Sequence, residues 1–383
     1  MGYVELTEEQ LMLRDTVREF AQNEIEPISA QIDESCEYPI ENIKKMAELG
    51  FLGIPFPEKY GGAGMDTMSL VLAIEEVAKA CGSTCLSMAA HISLCSMPIF
   101  LFGNEAQKQK YLAPLATGAA IGSFCLSEPG SGSDAGAART VAVLDGDNYI
   151  LNGSKLWVTN AGVADFFVVF AKTEPDKGVK GMTAFIVEKN FDGFIIGKKE
   201  NKLGVRASDT RPISIENCVV PKENLLGELN KGFKQALITL DGGRIGIGAM
   251  AVGLAQAAMD KAAAYSKERQ AFGKTISEFQ SIRWMLADMA TEIHAARLLV
   301  HHAAHLRDKG KSYTKEAAMA KLFASETAMR ATKNAIQIFG GYGYTRDYPV
   351  ERYWRDAKLT TIGEGTSEVN RMVISREILK EIA

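Results

Sequence analysis

Positive charge is not in excess in this chain: 43 Lys and Arg stand against 47 Asp and Glu in 383 residues, giving a net charge of -4 and a pI near 5.9. No basic surface follows from that balance, which argues against nucleic acid as a partner. Cysteine is scarce, six residues at Cys36, Cys81, Cys85, Cys95, Cys125 and Cys218. None stands in a Cys-x-x-Cys pair, so buried free thiols in a reducing compartment are expected. The five histidines give no Ser-His-Asp signal. Internal repeats, low-complexity segments and βαβ alternation are absent, and without the last a doubly wound sheet is disfavoured. Glu5, Glu8 and Glu9 near the start suit neither a secretory signal nor an acidic-poor transit peptide, so the expectation is a cytoplasmic protein mature from Met1. Two runs, residues 80–104 and 245–259, carry no Asp, Glu, Lys or Arg. The first holds Ser, Thr, His, Asn and Pro98, and the second is short and contains three glycines, so both are expected to be buried helices rather than membrane insertions.

What is present is a change of periodicity along the chain. Thr7 before Glu8-Glu9-Gln10 reads as a capping box for a helix whose apolar stripe is Leu11, Leu13, Val17 and Phe20. Further helices are expected over 40–49, 70–80, 85–101 and 106–116. Near Gly122 the pattern changes to short runs of β-formers, Tyr149-Ile-Leu, 166–170, 182–187 and Phe194-Ile-Ile, separated by turns. Helical spacing then returns over 231–241, 247–266, 278–308, 314–339 and 367–381. The reading is α+β: an N-terminal all-α domain (1–120), a middle antiparallel β-barrel-like domain (121–230) and a C-terminal four-helix-bundle domain (231–383).

Several residues carry possible chemistry. Glu364 lies between Gly363 and Gly365, backbone that passes close to a flat ligand and could present a carboxylate to it. It could equally be the solvated residue before a helix capped by Thr366 or Ser367. Residues 128–134, Glu-Pro-Gly-Ser-Gly-Ser-Asp, offer either an anion-binding concavity or a bare turn. A strand-like Arg139-Thr-Val-Ala-Val follows those glycines, so they do not form a dinucleotide fingerprint. Trp157 beside Thr159 suits a stacked aromatic ligand, or a core. Asp241 and Arg244 sit one helical turn apart, as a site or as a simple ion pair. His294, His301 and His305 share a helix face with Arg297 among them, a set that reads as a polar face rather than a metal site.

In chain order, Pro57-Glu-Lys-Tyr-Gly-Gly, Leu126-Ser-Glu-Pro-Gly-Ser-Gly-Ser-Asp, Asn152-Gly-Ser-Lys-Leu-Trp-Val-Thr-Asn, Arg269-Gln-Ala-Phe-Gly, Gln337-Ile-Phe-Gly-Gly-Tyr-Gly and Ile362-Gly-Glu-Gly-Thr-Ser-Glu together resemble the acyl-CoA dehydrogenase family of flavoenzymes. The likeness covers essentially the whole chain, and the α-β-α order is also that family's fold. It implies FAD as cofactor, with Phe124, Leu126, Ser127, Gly132, Ser133, Trp157 and Thr159 on the flavin. Arg269, Phe272, Phe279, Gln280, Gln337, Ile338, Gly340 and Gly341 would reach the adenosine diphosphate, partly across a subunit contact, and Thr366, Ser367 and Glu368 would return to FAD.

By the same likeness Ser133, Asp241 and Arg244 line the CoA thioester's channel, with Gly365 beside the acyl group. Glu364 is the base that takes the α-proton while the β-hydrogen leaves as hydride to the flavin, its pKa raised by burial. Where many short- and medium-chain members carry Tyr before the base, this chain has Gly363, which leaves room for a short, branched or alicyclic acyl group. Residues 87–100 contain no Arg, which weakens a glutaryl-type substrate. Some relatives carry the base at the position of Gly243, which cannot titrate here. The implied partners are an acyl-CoA, an electron-transferring flavoprotein and further copies of the chain in a homotetramer. Rival readings are an oxidase passing electrons to O2, a non-catalytic helical scaffold, and a bifurcating reduction on a CoA ester.

Overall fold

The computed structural model describes residues 5–382, so the expected Met1 start lies outside the described residues. Helices come first, a sheet follows, and helices return, as the change of periodicity implies. Thr7 forms the capping box: its side chain accepts the Gln10 N–H at 3.2 Å, and the Gln10 side chain accepts the Thr7 N–H at 3.0 Å. Two apolar helices dominate the N-terminal region. Thr67–Ala80 is buried along nearly its whole length, and its first free N–H groups, of Thr67 and Met68, are accepted by the Asp308 carboxylate at 2.8 and 3.1 Å. That carboxylate, which continues the 294–305 histidine face, is therefore engaged in capping a helix. The helical stretch Gly82–Phe102 passes through a π-helical segment, His91–Ser96, a kind of irregularity common at functional sites.

The strands of the middle region are β1 (Gly122–Cys125), β2 (Val141–Asp145), β3 (Asn148–Thr159), β4 (Phe166–Lys172), β5 (Met182–Glu188), β6 (Phe194–Ile196), β7 (Thr210–Pro221) and β8 (Leu225–Leu226). They form one sheet ordered β6-β7-β3-β2-β4-β5-β8, with β1 added on β4. The expectation of a purely antiparallel sheet needs amending, because β1 runs parallel to β4 and β2 meets β4 in parallel at Val141 and Lys172. Parallel neighbours need a long crossover rather than a hairpin, and between β1 and β4 the chain supplies one that contains the β2–β3 hairpin. His91 fastens β1 to the helices. Its Nδ1 accepts the Gly122 N–H at 3.1 Å, so Nε2 bears the proton and donates to the Leu115 carbonyl at 3.0 Å. Burial pushes its pKa down to about 4, and the ring stays neutral.

The C-terminal region is built from Gly232–Glu268, Gln280–Asp308, Thr314–Phe339, Val350–Thr360 and Ser367–Ile382. The helices expected over 231–241 and 247–266 are one: a single helix runs unbroken through Gly242, Gly243, Gly246 and Gly248. Each glycine costs about 1 kcal/mol of helix propensity, but here they allow close packing. A Cβ on Gly253 of the same helix would fall 2.4 Å from the Glu75 carbonyl oxygen. Both charge-free runs lie in helices long and apolar enough to cross a bilayer, and most of each is covered by protein. The short helix Val350–Thr360, amphipathic between two glycine-bearing turns, was not anticipated.

Candidate active site

Glu364 occupies a turn in the left-handed region, φ +55°, followed by Gly365 at φ +96°. A non-glycine residue rarely adopts that conformation without something to hold it. Three contacts do so. Lys321 Nζ donates to the Gly365 carbonyl at 2.6 Å, and Asn370 Nδ2 donates to the Gly365 and Thr366 carbonyls, each at 2.9 Å. Thr366 Oγ1 accepts the Val369 N–H at 3.3 Å, so Thr366 caps the last helix, and Glu364 both precedes a cap and presents a carboxylate. The residue as a whole is half-buried, but its Oε2 is shut off from solvent and has no hydrogen-bond partner.

That oxygen points at Gly243: a Cβ built there would lie 1.9 Å from Glu364 Oε2 and 3.1 Å from Leu94 Cδ2. Desolvation pushes the Glu364 pKa up to about 7, against the pull of Lys321 and Arg244. Arg244 is itself held by Asp241 at 2.5 Å, and Thr314 Oγ1 donates to the other Asp241 oxygen at 2.6 Å. Nine buried side-chain polar atoms lack partners among the described residues, and four of them are here: Glu364 Oε2, Arg244 Nε, Ser367 Oγ and Asn370 Oδ1. Buried polar groups are nearly always satisfied, so this concentration marks a place prepared for a ligand. A Cβ on Gly363 would fit, in ordinary van der Waals contact with Leu359 at 3.6 Å. Glu368 projects into solvent.

The β-side residues form a second group. Register shifts in the β3–β7 pairing leave Leu156 and Trp157 unpaired between Lys155 and Val158, a bulge that turns Trp157 to φ +60° and exposes its indole to 59%. The bulge is tied to the 126–134 loop. The Leu156 N–H donates to the Ser127 carbonyl at 2.9 Å, and Lys155 Nζ reaches the Leu126 carbonyl at 3.3 Å and the Glu128 carboxylate at 2.7 Å. Phe124, Leu126, Ser127, Trp157 and Thr159 thus lie together where β1 and the loop after it meet the end of β3, with Gly132 and Ser133 exposed at the end of the loop and open space beside Gly132. The π-helical segment relates this group to the first: Leu94 borders the Gly243–Glu364 contact, and the next residue, Cys95, packs where a Cβ of Gly122 in β1 would be.

The remaining candidates lie elsewhere. Arg269, Ile338, Gly340 and Gly341 line a cavity of about 440 Å3 with Tyr265, Phe339 and Tyr342. Gln337, Phe279 and Gln280 are close in sequence to its walls, and Phe272 stands 95% exposed at φ +53°. The 18 residues of helix from Lys321 to Phe339 put this end about 27 Å from the Glu364 turn, at roughly 1.5 Å per residue. One chain therefore does not bring all the candidates together. The cavity wall is aromatic: Tyr265 stacks on Phe339 with centroids 4.0 Å apart, and the Arg269 guanidinium lies 5.6 Å from the Tyr342 ring. An adenine and its phosphates fit a site with stacking rings, an arginine and two side-chain-free glycines.

Lys321, Asn370, Leu94, Tyr265, Glu128 and Lys155 were not singled out from sequence. For Lys321 a signal existed, a cation on the Ala317, Ala324 and Ala328 face of its helix. Glu128 accepts N–H donors from Arg139 and Thr140 at 2.6 and 3.1 Å. Although burial would raise its pKa, Lys155 and these donors hold its carboxyl below the usual range. Lys155→Met removes the cation and leaves that carboxylate only its two N–H donors, which should cost about 3 kcal/mol, the lower end for a broken buried pair. Chemical denaturation measures it, and a loss under 1 kcal/mol would show that the pair does not secure the loop.

Three family models match the chain: the N-terminal domain of acyl-CoA dehydrogenase over residues 7–119, the middle domain over 123–218 and the C-terminal domain over 230–379. The chain is 55% identical over 375 residues to a short-chain-specific acyl-CoA dehydrogenase of Clostridium acetobutylicum, covering 98% of this chain and 99% of that one. Among solved structures it superposes on butyryl-CoA dehydrogenase from Megasphaera elsdenii with a TM-score of 0.97 and 47% identity, over 99% of this chain and 100% of that one. It superposes at 0.98, with 53% identity and coverage of 99% and 100%, on a chain from work on the electron-transferring flavoprotein of Acidaminococcus fermentans and flavin-based electron bifurcation. A Bacillus anthracis acyl-CoA dehydrogenase complexed with FAD matches at 0.93 and 37%, over 99% of this chain and 68% of that one.

Proposed function

The chain belongs to the acyl-CoA dehydrogenase family, and from that premise we propose that it oxidises a short-chain acyl-CoA to the 2-enoyl-CoA with Glu364 as the base. The observation that carries the assignment is the solvent-free, unpartnered Oε2 of Glu364 in a strained turn, on a carboxyl whose pKa burial pushes up to about 7. A base with its pKa near the working pH is both available and strong enough to take a weakly acidic proton.

FAD, the family's cofactor, supplies the acceptor for the hydride that leaves Cβ. The chain's own residues do the rest. The Glu364 carboxylate takes the Cα proton, its backbone N–H donates to the thioester oxygen as charge develops there, and Arg244, fixed by Asp241, borders the channel. Trp157 and the Phe124–Ser133 segment fit the flavin ring, and the 440 Å3 cavity fits its adenosine diphosphate. The 27 Å separation supports a site completed by a second copy of the chain, within a homotetramer. Electrons pass on to an electron-transferring flavoprotein, a partnership supported by the Acidaminococcus neighbour. That neighbour also favours a second reading, in which the partner flavoprotein drives the reverse, bifurcating reduction.

A substrate panel with a dye acceptor tests the assignment. Butyryl-CoA should exceed isobutyryl-, isovaleryl-, glutaryl- and cyclohexanecarboxyl-CoA in kcat/KM by at least about tenfold, the effect of one or two misfitted methylenes. Preference for a branched or cyclic ester would overturn the short-chain part. With butyryl-CoA, kcat/KM should fall about tenfold per pH unit below pH 7 and level off above it, since the free enzyme's base must be ionised. A profile flat from pH 5 to 8 would remove Glu364 from the role. Reoxidation equally fast in air and in anaerobic buffer with acceptor would point to an oxidase.

A further inference from the structure

Lys321, on Thr314–Phe339, packs beside Gly248 of Gly232–Glu268 with none of its surface exposed. It joins no ion pair among the described residues, and its ammonium donates to one protein atom, the Gly365 carbonyl oxygen at 2.6 Å. Burying an ammonium is costly, and packing alone would favour an apolar side chain there. The carbonyl it holds belongs to the residue directly after Glu364. Asn370 Nδ2 holds the same oxygen from the last helix at 2.9 Å. Two donors converging on one carbonyl fix the peptide plane between Gly365 and Thr366, one residue beyond Glu364, and so brace the turn whose left-handed φ directs the carboxylate at Gly243.

We propose that Lys321 is the positioning residue of the base: through the Gly365 carbonyl it holds Glu364 in its turn, and its buried charge sets where that carboxyl ionises. The inference rests on the assignment of Glu364 given above. The charged groups around the carboxyl come from three elements. Arg244, on Gly232–Glu268, shares its charge with Asp241. Glu368, on Ser367–Ile382, is exposed. Lys321, on Thr314–Phe339, is the cation not shared with a carboxylate. Burial pulls the Lys321 pKa down to about 8, with Glu364 raising it, Arg244 lowering it and Glu368 raising it, so at pH 7 it is mostly charged. A cation there favours ionised Glu364 and draws down a pKa that burial alone would push higher. Lys321 thereby keeps the carboxyl usable as a base in a site that excludes water.

Two substitutions separate holding from charge. Lys321→Met removes both; Lys321→Gln keeps an N–H donor for Gly365 and removes the charge. Both should move the acidic limb of kcat/KM upward by about one pH unit. The plateau kcat should fall about tenfold in Lys321→Met and return to near wild type in Lys321→Gln, since a lost hold on a reacting group is read in kcat. The same pKa is read without turnover from the infrared carboxyl stretch of Glu364, identified as the band missing in Glu364→Gln. A limb and an infrared pKa unmoved in both variants overturn the inference; if Lys321→Met does not fold, Lys321→Gln alone decides on the same two readouts. An active Glu364→Gln enzyme would instead sink the assignment of the base, whereas an inactive one beside unshifted Lys321 variants sinks only the role of Lys321.

Discussion

With Gln in place of Glu364, the enzyme is expected to stay folded, retain FAD and bind butyryl-CoA, while kcat falls about 10^4-fold, the upper range for a positioned general base. The amide has the carboxylate's shape, so the Gly243 contact and the turn survive, but it does not accept the α-proton. Stopped-flow reduction of the flavin by butyryl-CoA measures the step directly, and a loss below tenfold would exclude Glu364 as the base.

The same substitution should act on stability in the opposite direction, and the sign follows from linkage. Glu364 titrates near pH 7 in the fold against 4.5 ordinarily. Below 4.5 both folded and unfolded chains are protonated there. Between 4.5 and 7 only the unfolded chain releases the proton, so the fold loses stability as pH rises, and above 7 the deficit is constant. Gln carries no such deficit. Its Tm should match wild type near pH 4.5 and exceed it by some degrees at pH 8, measured on enzyme free of acyl-CoA.

Gly243→Ala should produce a comparable separation of stability from activity with one methyl group. In most helix interiors this change gains about 1 kcal/mol. Here the new Cβ would stand 1.9 Å from Glu364 Oε2 and 3.1 Å from a Leu94 methyl. A carboxylate at the end of a flexible side chain can move aside, so the fold should hold. The base, however, shifts by an ångström or more, and misplacement of that size costs about 10^2-fold in rate. The expected result is unchanged or higher Tm with kcat reduced about 10^2-fold and a small change in KM. Full activity in Gly243→Ala would mean that the carboxylate works from a different place.

Much of the fold was legible because its signals are local. The helix at 314–339 and the runs at 149, 166, 182 and 194 follow from side-chain spacing alone, and Thr7 capped its helix as its residue type implies. The helix across 242–248 was not legible as one element because the reason for its glycines is not local: what they accommodate lies far along the chain in both directions, from Ile74 and Leu94 to Val300, Arg307 and Glu364. The candidate site was legible by resemblance, as a set of motifs, but not as a place. Nothing in the motif around Arg269 says that it sits a helix length away from Glu364. Lys321, His91 and the Glu128–Lys155 pair were missed for a common reason. A buried polar residue is recognised by its partner, and each partner here is a backbone carbonyl, a backbone N–H or a residue 27 positions away.

The covered apolar helices have a consequence for how the protein is made. Residues 82–102 leave the ribosome about 130 residues before the start of the 232–268 helix that comes to pack against them. At roughly 5–20 residues per second that is about 6–26 seconds. For that interval the nascent chain presents a membrane-length greasy segment that has only its earlier neighbours, such as Thr67–Ala80, to cover it, which invites chaperone capture or mistargeting to a translocon. Newly synthesised protein should therefore depend on cellular assistance far more than the mature enzyme does.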